Sequence, residues 1–357
     1  MSKRKKLILS ADEILFRCSS LGKIMGEAQG KSNMDKWKDA VEQLDKYKAE
    51  YELTANKQTK TAIAKLEKIE KLKTDIPVLE LVKDKVELSE TTKTNLIDIF
   101  VSARYGRREE IKSKYLAKGN AREEDSITLL SRKLKTPYKK NDERIGNEWI
   151  IGEPDIYQGI TILFSDEILD TKTSWSAHTF FRSKSKELDT DYYWQGVGYM
   201  WLTGAKKHTV AFCLVNGTAQ AIIDEKRRLS FAAGMQDLWG NPTEEFKIRC
   251  KQIDINHIYD LREFKEENKY FAFDVGTLLP EEAEEERNRI LVNKGILSDD
   301  EVNNDINDID EREWIYDIPK EERIFTFTFD RNEEDIQRAK KRIGECREWM
   351  QNNLFKK

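Results

Sequence analysis

The chain has 357 residues, 36% of them charged and 38% hydrophobic, with 8 Trp, 12 Tyr and 15 Phe. This length allows one large domain or two modest ones, and so many aromatic residues exclude a disordered chain. Residues 1–150 hold 33 basic and 25 acidic side chains, although the whole chain has a net charge of -4. On charge alone an ordinary solvated surface is preferred to a positive surface for an anionic partner.

The sequence shows no pattern of export or membrane insertion. No apolar run approaches the roughly 20 residues that a membrane-spanning helix needs, and the apolar patch after the basic start covers only residues 7–9. The four cysteines stand singly, without CxxC spacing, which favours reduced thiols over disulfides or a zinc site. We expect a cytoplasmic protein with no membrane partner.

The first part of the chain is predicted to be helical. A helical pattern around residue 14 leads into Arg17-Cys18-Ser19-Ser20. Residues 34–73 carry Lys and Glu at helical spacing, which predicts one or two exposed helices, arranged as a hairpin and ended by Pro77. Residues 91–105 and 122–134 show apolar stripes and are predicted to be core-facing helices.

From residue 148 the apolar residues change from helical spacing to the alternation typical of strands. Strands are predicted at residues 149–157, 161–164 and 167–173, followed by a helix at 191–202 and a strand at 209–215. Farther on we predict a charged helix at 281–289, an acidic loop at 298–311, a strand at 323–329 and a final helix at 333–353. Helices and strands in this order predict an α/β protein.

Two short segments carry the residues that could form a catalytic or metal-binding site. Gly152-Glu153-Pro154-Asp155 is followed fifteen residues later by Asp170-Thr171-Lys172. Strand alternation places Asp170 and Lys172 on one face, and a crossing strand can bring Asp155 beside them. Carboxylate oxygens, with the backbone carbonyl of Thr171, suit a hard divalent cation. The lysine could orient a water molecule, help to deprotonate it, or stabilise negative charge on a phosphate.

This pattern resembles the PD-(D/E)XK nuclease superfamily, and further segments resemble its phage lambda-type exonuclease and YqaJ-like viral recombinase branch. Gln195 and Tyr199 look like the QxxxY element, which implies a place beside the metal site, facing DNA. The segment from Lys118 to Asp125 resembles the Gly-Asn-x-x-Glu helix start, which implies that Glu123 is a metal ligand, with Glu124 as the alternative. Arg17, Ser19 and Ser20 resemble the phosphate-holding start of the same family.

The resemblance implies a restriction-endonuclease-like α/β fold, with a central mixed β-sheet flanked by helices. It divides the chain into an N-terminal segment (1–33), a helical insertion (34–90), the nuclease core (91–260) and a C-terminal extension that packs on the core (261–357). It implies a DNA-hydrolysing enzyme that uses Mg²⁺ or Mn²⁺, acting as a 5′ to 3′ exonuclease on duplex ends in phage recombination or replication. The scattered cysteines predict no iron–sulfur cluster.

The same resemblance leaves several matters open. It allows a single-strand annealing protein as a partner and a homo-oligomeric ring. An endonuclease with the same centre, or an inactive DNA-binding protein of this fold, remains an alternative. Arg182 and Lys184 fall in a predicted polar loop, residues 174–190, that either follows the DNA backbone or is merely solvated. The three histidines have no ligand spacing, and we expect them on the surface or in loops.

Each candidate side chain also has an ordinary structural interpretation. Taken alone, Asp155 is more often a turn residue, and Asp170 and Lys172 are more often ordinary strand residues. Gln195 with Tyr199 could be a pair on a helix surface. A charged Asp-x-Lys inside an apolar strand is costly to bury without a purpose, and the motif elements stand in the superfamily order. We therefore prefer the functional interpretation for the set.

Overall fold

The computed structural model describes residues 8, 10–27, 31–54, 58–84, 87–109, 113–237, 241–268, 309 and 312–356. Seven strands form two sheets within these residues: β1 (Phe16–Arg17), β2 (Ile145–Gly146), β3 (Ile150–Gly152), β4 (Ile156–Gly159), β5 (Ser165–Thr173), β6 (Lys207–Cys213) and β7 (Ile324–Asp330). The smaller sheet has the order β1-β3-β2 and the larger β4-β5-β6-β7. Both mix parallel and antiparallel pairs.

Helices flank both sheets, so the predicted α/β class with mixed sheets and flanking helices is confirmed. The α-helices are α1 (Leu21–Met25), α2 (Asn33–Glu52), α3 (Lys60–Val82), α4 (Glu90–Phe100), α5 (Lys114–Ala121), α6 (Glu123–Leu134), α7 (Ala177–Lys184), α8 (Thr190–Thr203), α9 (Ala219–Ser230), α10 (Glu244–His257), α11 (Leu261–Asn268) and α12 (Glu333–Met350). None of the helices in the described ranges is long and apolar enough to cross a membrane.

The larger sheet lies between two hydrophobic layers. On β5, Ile168 packs in a cluster with Val197 and Met200 of α8, whereas Leu169 packs in a second cluster with Leu130 of α6. Alternate residues of β5 therefore face α8 or α6, as the period of a strand requires. Asp170 and Lys172 belong to the face toward α8.

The predicted strand at residues 149–157 is wrong as a single element. It is two short strands, β3 and β4, in different sheets, separated by Glu153-Pro154-Asp155. A proline has no N–H to donate to a strand ladder, so pairing stops there. The strand predicted at 161–164 is a 3-10 turn, Ile162–Phe164, which closes the β4–β5 hairpin.

Helices α2 and α3 form the predicted hairpin. Lys65 pairs with Glu50 near its tip, and the ammonium of Lys83 lies 4.3 Å from the ring centroid of Trp37 near its base. The expected break at Pro77 is wrong, because α3 continues through it to Val82. Pro77 is exposed, so water can satisfy the backbone carbonyl that loses its helical hydrogen bond.

The strand and helix predicted near the C-terminus are present. Strand β7 pairs with β6, and α12 supplies Ile336, Ile343 and Met350 to the main hydrophobic cluster. The larger sheet thus includes residues that the sequence assigned to an extension beyond residue 260. The predicted helix at 281–289 and nearly all of the predicted loop at 298–311 lie outside the described residues.

Candidate active site

The two halves of the motif meet where β4 begins and β5 ends. Asp155 lies in the break before β4, and one of its carboxylate oxygens accepts hydrogen bonds from the backbone N–H of Thr171 at 2.7 Å and from the Thr171 hydroxyl at 3.2 Å. Asp170 and Lys172, on either side of Thr171, share the opposite face of β5. Thr171 therefore fixes the Asp155 carboxylate beside the strand that carries the other two groups.

Asp170 is the most deeply buried member of the site. Its residue surface is 1% exposed. Its Oδ2 forms an ion pair with Lys172, whereas its Oδ1 has no hydrogen-bond partner. A buried carboxylate normally accepts several hydrogen bonds, so Asp170 retains unused ligand capacity.

The ionisation of Asp155 and Lys172 reflects how closely the three groups approach one another. Burial, and then the negative charge of Asp170, raise the pKa of the Asp155 carboxyl well above its ordinary value. Burial lowers the pKa of Lys172, but the charges of Asp170 and Asp155 outweigh it and the net pKa is raised. The site thus has more negative charge than one lysine can balance.

Gln195 and Tyr199 link the two halves of the motif through one chain of hydrogen bonds. Lys172 Nζ donates to Gln195 Oε1 at 3.4 Å, and Gln195 Nε2 donates to the Tyr199 hydroxyl at 3.0 Å. The hydroxyl in turn donates to the backbone carbonyl of Glu153 at 3.2 Å. Both side chains are buried, so they contact Lys172 and the Glu153 backbone and do not face solvent.

Tyr192 also lies beside the site, although no sequence motif indicated it. It lies near the start of α8, on the same face as Gln195 and Tyr199. Lys172 Nζ lies 5.0 Å from the centroid of the Tyr192 ring. An ammonium over an aromatic face is attracted by the ring's electrons. The helical spacing of three residues between Tyr192 and Gln195 was the available signal.

Glu123 begins α6, where the helix start was predicted. Its carboxylate accepts a hydrogen bond from Lys140 Nζ at 2.7 Å. In the described part of the chain no three His, Cys, Asp or Glu side chains form a group that could hold a metal ion. Glu123 is therefore not gathered with Asp155 and Asp170 here, whereas the alternative Glu124 is exposed.

Lys140 and Asn141 were also missed, and they belong to the loop that supports Asp155. The backbone N–H of Asn141 donates to the Asp155 carbonyl at 2.7 Å, and its side-chain amide donates to the Pro154 carbonyl at 2.9 Å. This loop has no strand or helix pattern. Only the basic run around Lys139 and Lys140 marked it in the sequence.

The N-terminal residues predicted to bind DNA lie near the same break. Arg17 is in register with Ile151 of β3 and is exposed, as is Ser19, while Ser20 is half-buried. Burial, and then the charges of Arg108 and Arg144, lower the pKa of Arg17. These guanidinium groups form a positive area close to Glu153.

Two expectations about other polar residues need correction. The predicted polar loop at 174–190 contains helix α7, because Ser176 caps it and Phe180 is buried within it; Arg182 and Lys184 are exposed near its end. His208 and His257 are buried, so the prediction of surface or loop histidines is wrong for both. Burial lowers the pKa of each to about 4.

The residues present fit a hard divalent cation. The side chains of Asp155 and Asp170 place two carboxylates together, and the buried Oδ1 of Asp170 has no hydrogen-bond partner. Oxygen ligands of this kind suit Mg²⁺ or Mn²⁺, and a cation would relieve the repulsion that raises the pKa of Asp155. The four cysteines lie on separate elements: Cys18, Cys213 and Cys346 are buried and Cys250 is half-buried.

No protein-family model and no curated protein sequence matches this chain. Among solved structures, it is similar to a phage-related exonuclease from Haemophilus somnus 129PT, with a TM-score of 0.49 and 20% identity over 95% of each chain. It is also similar to an alkaline exonuclease from Laribacter hongkongensis, with a TM-score of 0.30 and 11% identity over 52% of this chain and 85% of that chain. A structure of the alkaline exonuclease in complex with dAMP is similar with a TM-score of 0.28 and 12% identity, over 52% of this chain and 85% of that chain.

Proposed function

We propose that this chain is a metal-dependent deoxyribonuclease of the PD-(D/E)XK type, acting as a 5′ to 3′ exonuclease on linear duplex DNA. One observation carries the proposal. Asp155, Asp170 and Lys172 converge: the buried Asp170 carboxylate lies beside a second carboxylate and is ion-paired with Lys172 through Oδ2, while its Oδ1 has no hydrogen-bond partner. The exonuclease activity, its polarity and the phage context come from the sequence resemblance.

The side chains have separable roles in this proposal. Asp155 and Asp170, with the carbonyl of Thr171, would hold Mg²⁺ or Mn²⁺. When bound, such a cation would polarise a phosphate oxygen and supply an activated water molecule. Lys172 would stabilise negative charge on the phosphate, and Gln195 would keep its ammonium in place. The basic side chains near Arg17 would attract the DNA backbone.

The test is digestion of linear duplex labelled at either the 5′ or the 3′ end, beside a closed circle, with Mg²⁺ or EDTA. We expect loss of linear DNA only, dependent on Mg²⁺, with the 5′ label released first. Lys172→Ala should lower the rate by about 100- to 1000-fold, since a charge-stabilising group would be lost. Lys206→Ala is the matched control, because Lys206 is exposed and pairs with Asp166.

Other results select or reject the alternatives. Cleavage of the circle would show an endonuclease, and release of the 3′ label first would reverse the polarity. Binding of DNA without cleavage under either metal would leave an inactive DNA-binding protein. Full activity of Lys172→Ala would refute the proposed centre.

A further inference from the structure

Helix α3 exposes four large apolar side chains, which we call the α3 stripe. Ile63 and Leu66 near its start are 47% and 42% exposed, and Val78 and Leu81 near its end are 61% and 78% exposed. The 18 residues from Ile63 to Leu81 make about five full turns, so the two ends of the stripe share one side of the helix. Ile69, on the other side, is buried. Apolar side chains grouped on an exposed helix face indicate an interaction surface.

The core of the protein does not cover the α3 stripe. Helices α2 and α3 pack chiefly against each other, and on their inner side Lys65 pairs with Glu50 while Lys68 Nζ lies 5.1 Å from the ring centroid of Tyr47. Within the described residues, neither helix contributes to the hydrophobic clusters of the core. The α3 stripe is therefore open to another molecule.

The spacing of the α3 stripe is self-complementary. Ile63 and Leu81 are each nine residues from Leu72, and Leu66 and Val78 are each six residues from it. Two copies of α3 can lie side by side in opposite directions, with a two-fold axis at the level of Leu72. This arrangement brings Ile63 to the level of Leu81, and Leu66 to the level of Val78, in the other copy. Apolar side chains then meet at both ends of the contact.

The charged residues between the two ends are complementary in the same arrangement. Glu70 and Lys73 pair within the helix at 2.8 Å, and their side chains are 62% and 51% exposed. In the antiparallel pair of helices, Lys73 lies one residue from the level of Glu70 in the other copy. Two ion pairs, related by the two-fold axis, can therefore form across the contact.

The same charges argue against a lipid surface as the occupant. An amphipathic helix that lies on a membrane buries its apolar face below the headgroups and keeps its charges on the opposite face. Glu67 and Glu70 lie on the side of the α3 stripe itself, between its apolar ends, where lipid would leave them without a partner. A second α3 supplies a lysine close to that level.

We propose that the α3 stripe binds the α3 stripe of a second copy of this chain, in antiparallel orientation about a two-fold axis at Leu72. This inference does not depend on the proposed function. Each copy contributes a single helix face, a smaller contact than that of permanent dimers, so the dimer should form and dissociate with concentration. Pairing of the two hairpins would join two candidate centres in one particle.

The first measurement is sedimentation velocity of the full chain between about 1 and 100 µM, where weak dimers dissociate. The parent protein should change from monomer to dimer across this range. Leu81→Lys should weaken association at least about tenfold, because it places a charge against Ile63 of the other copy. Ile248→Lys is the matched control, because Ile248 of α10 is also apolar and 64% exposed; it should associate like the parent.

The second measurement tests the antiparallel arrangement by exchanging charges. Glu70→Lys alone and Lys73→Glu alone should each associate about tenfold more weakly, because both ion pairs across the contact become repulsive. An equimolar mixture of these two variants should associate like the parent protein, because the two chains then carry opposite charges at both levels. Circular dichroism shows whether each variant keeps its helices, and Ile63→Lys repeats the test if Leu81→Lys fails to fold.

The outcomes decide the proposal separately from DNA cleavage. A parent protein that stays monomeric, or a Leu81→Lys protein that associates like the parent, would overturn it. Weaker association by Ile248→Lys would move the contact to another face, and a mixture of the charge variants that stays monomeric would refute the antiparallel arrangement. Binding of monomers to anionic lipid vesicles, lost in Leu81→Lys, would assign the α3 stripe to a membrane surface instead.

Discussion

The Tyr199 hydroxyl is the point through which α8 reaches the backbone just before Asp155. It accepts from Gln195 and donates to the Glu153 carbonyl, so it holds both halves of the site at once. A buried hydroxyl with two partners contributes more than packing, because its loss leaves an amide and a carbonyl unsatisfied. Gln195 and Tyr199 therefore tie Lys172 to the backbone just before Asp155.

Tyr199→Phe tests this role. We expect the free energy of unfolding to fall by about 1–3 kcal/mol, because buried polar groups lose their partner. The proposed DNA cleavage should fall about tenfold in kcat with little change in KM, because Gln195 no longer holds Lys172 firmly. Stopped-flow or gel assays of cleavage, beside urea unfolding, measure the two effects.

Tyr193→Phe is the control on the same helix. Tyr193 donates to Asp335 at 2.6 Å, on the side of α8 toward α12, so the variant also loses a hydroxyl contact. It should lose stability but keep its kcat. An equal fall in kcat for both variants would mean that α8 acts on the site only through general stability.

At the scale of elements, α8 packs unusually close to its neighbours. A Cβ added at Gly196 would lie 2.5 Å from Nδ1 of His208 and 2.6 Å from Cζ of Phe329. Glycine costs helix stability in a helix interior, and this close approach to β6 and β7 is the physical reason for it here. The neighbouring Gln195 depends on the same approach to reach Lys172.

Gly196→Ala should therefore destabilise the protein by about 1–3 kcal/mol through overpacking, although alanine favours the helix. Gly344, inside α12, has no atom within 4 Å of an added Cβ, so Gly344→Ala should stabilise by about 0.5–1 kcal/mol. Urea unfolding of both variants measures whether the free energy of unfolding falls for Gly196→Ala and rises for Gly344→Ala. Stabilisation by Gly196→Ala would show that α8 has room to move outward.

The sequence predicted those elements whose pattern is set by local periodicity. The burial of Leu96, Ile127 and Leu130 followed from helical stripes, and the common face of Asp170 and Lys172 followed from strand alternation. Leu134, the last apolar residue of the helix predicted at 122–134, is exposed, because it ends α6. The break at Glu153-Pro154-Asp155 was read as continuous strand, since the flanking apolar residues hid it.

The contacts of the site were harder to predict than its members. The pairing of Thr171 with Asp155 and of Lys140 with Glu123 joins segments far apart in the chain. Such contacts depend on how sheets and loops dock, which no local pattern records. Charge, likewise, marked Lys140 only as one of several basic residues around position 140.

At the scale of the molecule, a buried lysine joins α5 to the segments that follow β5 and α10. Lys118 of α5 is 2% exposed and donates to the backbone carbonyl of Trp175 at 3.0 Å. Its ammonium also lies 5.4 Å from the ring centroid of Tyr259. Burial, and then the charge of Arg122, lower the pKa of Lys118 to about 7, and Lys118 in turn helps to lower the pKa of His257.

This burial predicts how stability depends on pH. Between pH 7 and about pH 10 the unfolded chain carries a proton on Lys118 that the folded chain lacks, so stability rises with pH. The contribution from Lys118 to the free energy of unfolding should increase by about 2 kcal/mol from pH 7 to pH 9. Urea unfolding at intermediate pH values measures it.

Lys118→Met should remove this increase while filling a similar volume. Other groups that titrate in this range, such as the cysteine thiols, affect parent and variant alike, so the difference between their pH curves isolates Lys118. Equal slopes in the two proteins would refute the assignment. Lys207→Met, on an exposed residue, should follow the parent curve.

The proline-containing break between β3 and β4 has a consequence for how the site comes into being. Asp155 belongs to neither sheet's ladder: Thr171 of β5 holds its carboxylate, and Tyr199 of α8 holds the carbonyl of Glu153 just before it. A partly folded form that lacks these contacts leaves Asp155 without its fixed place beside Asp170. Whatever reaction the centre performs is therefore withheld until assembly is complete, so a chain emerging from the ribosome does not acquire that reactivity piecemeal.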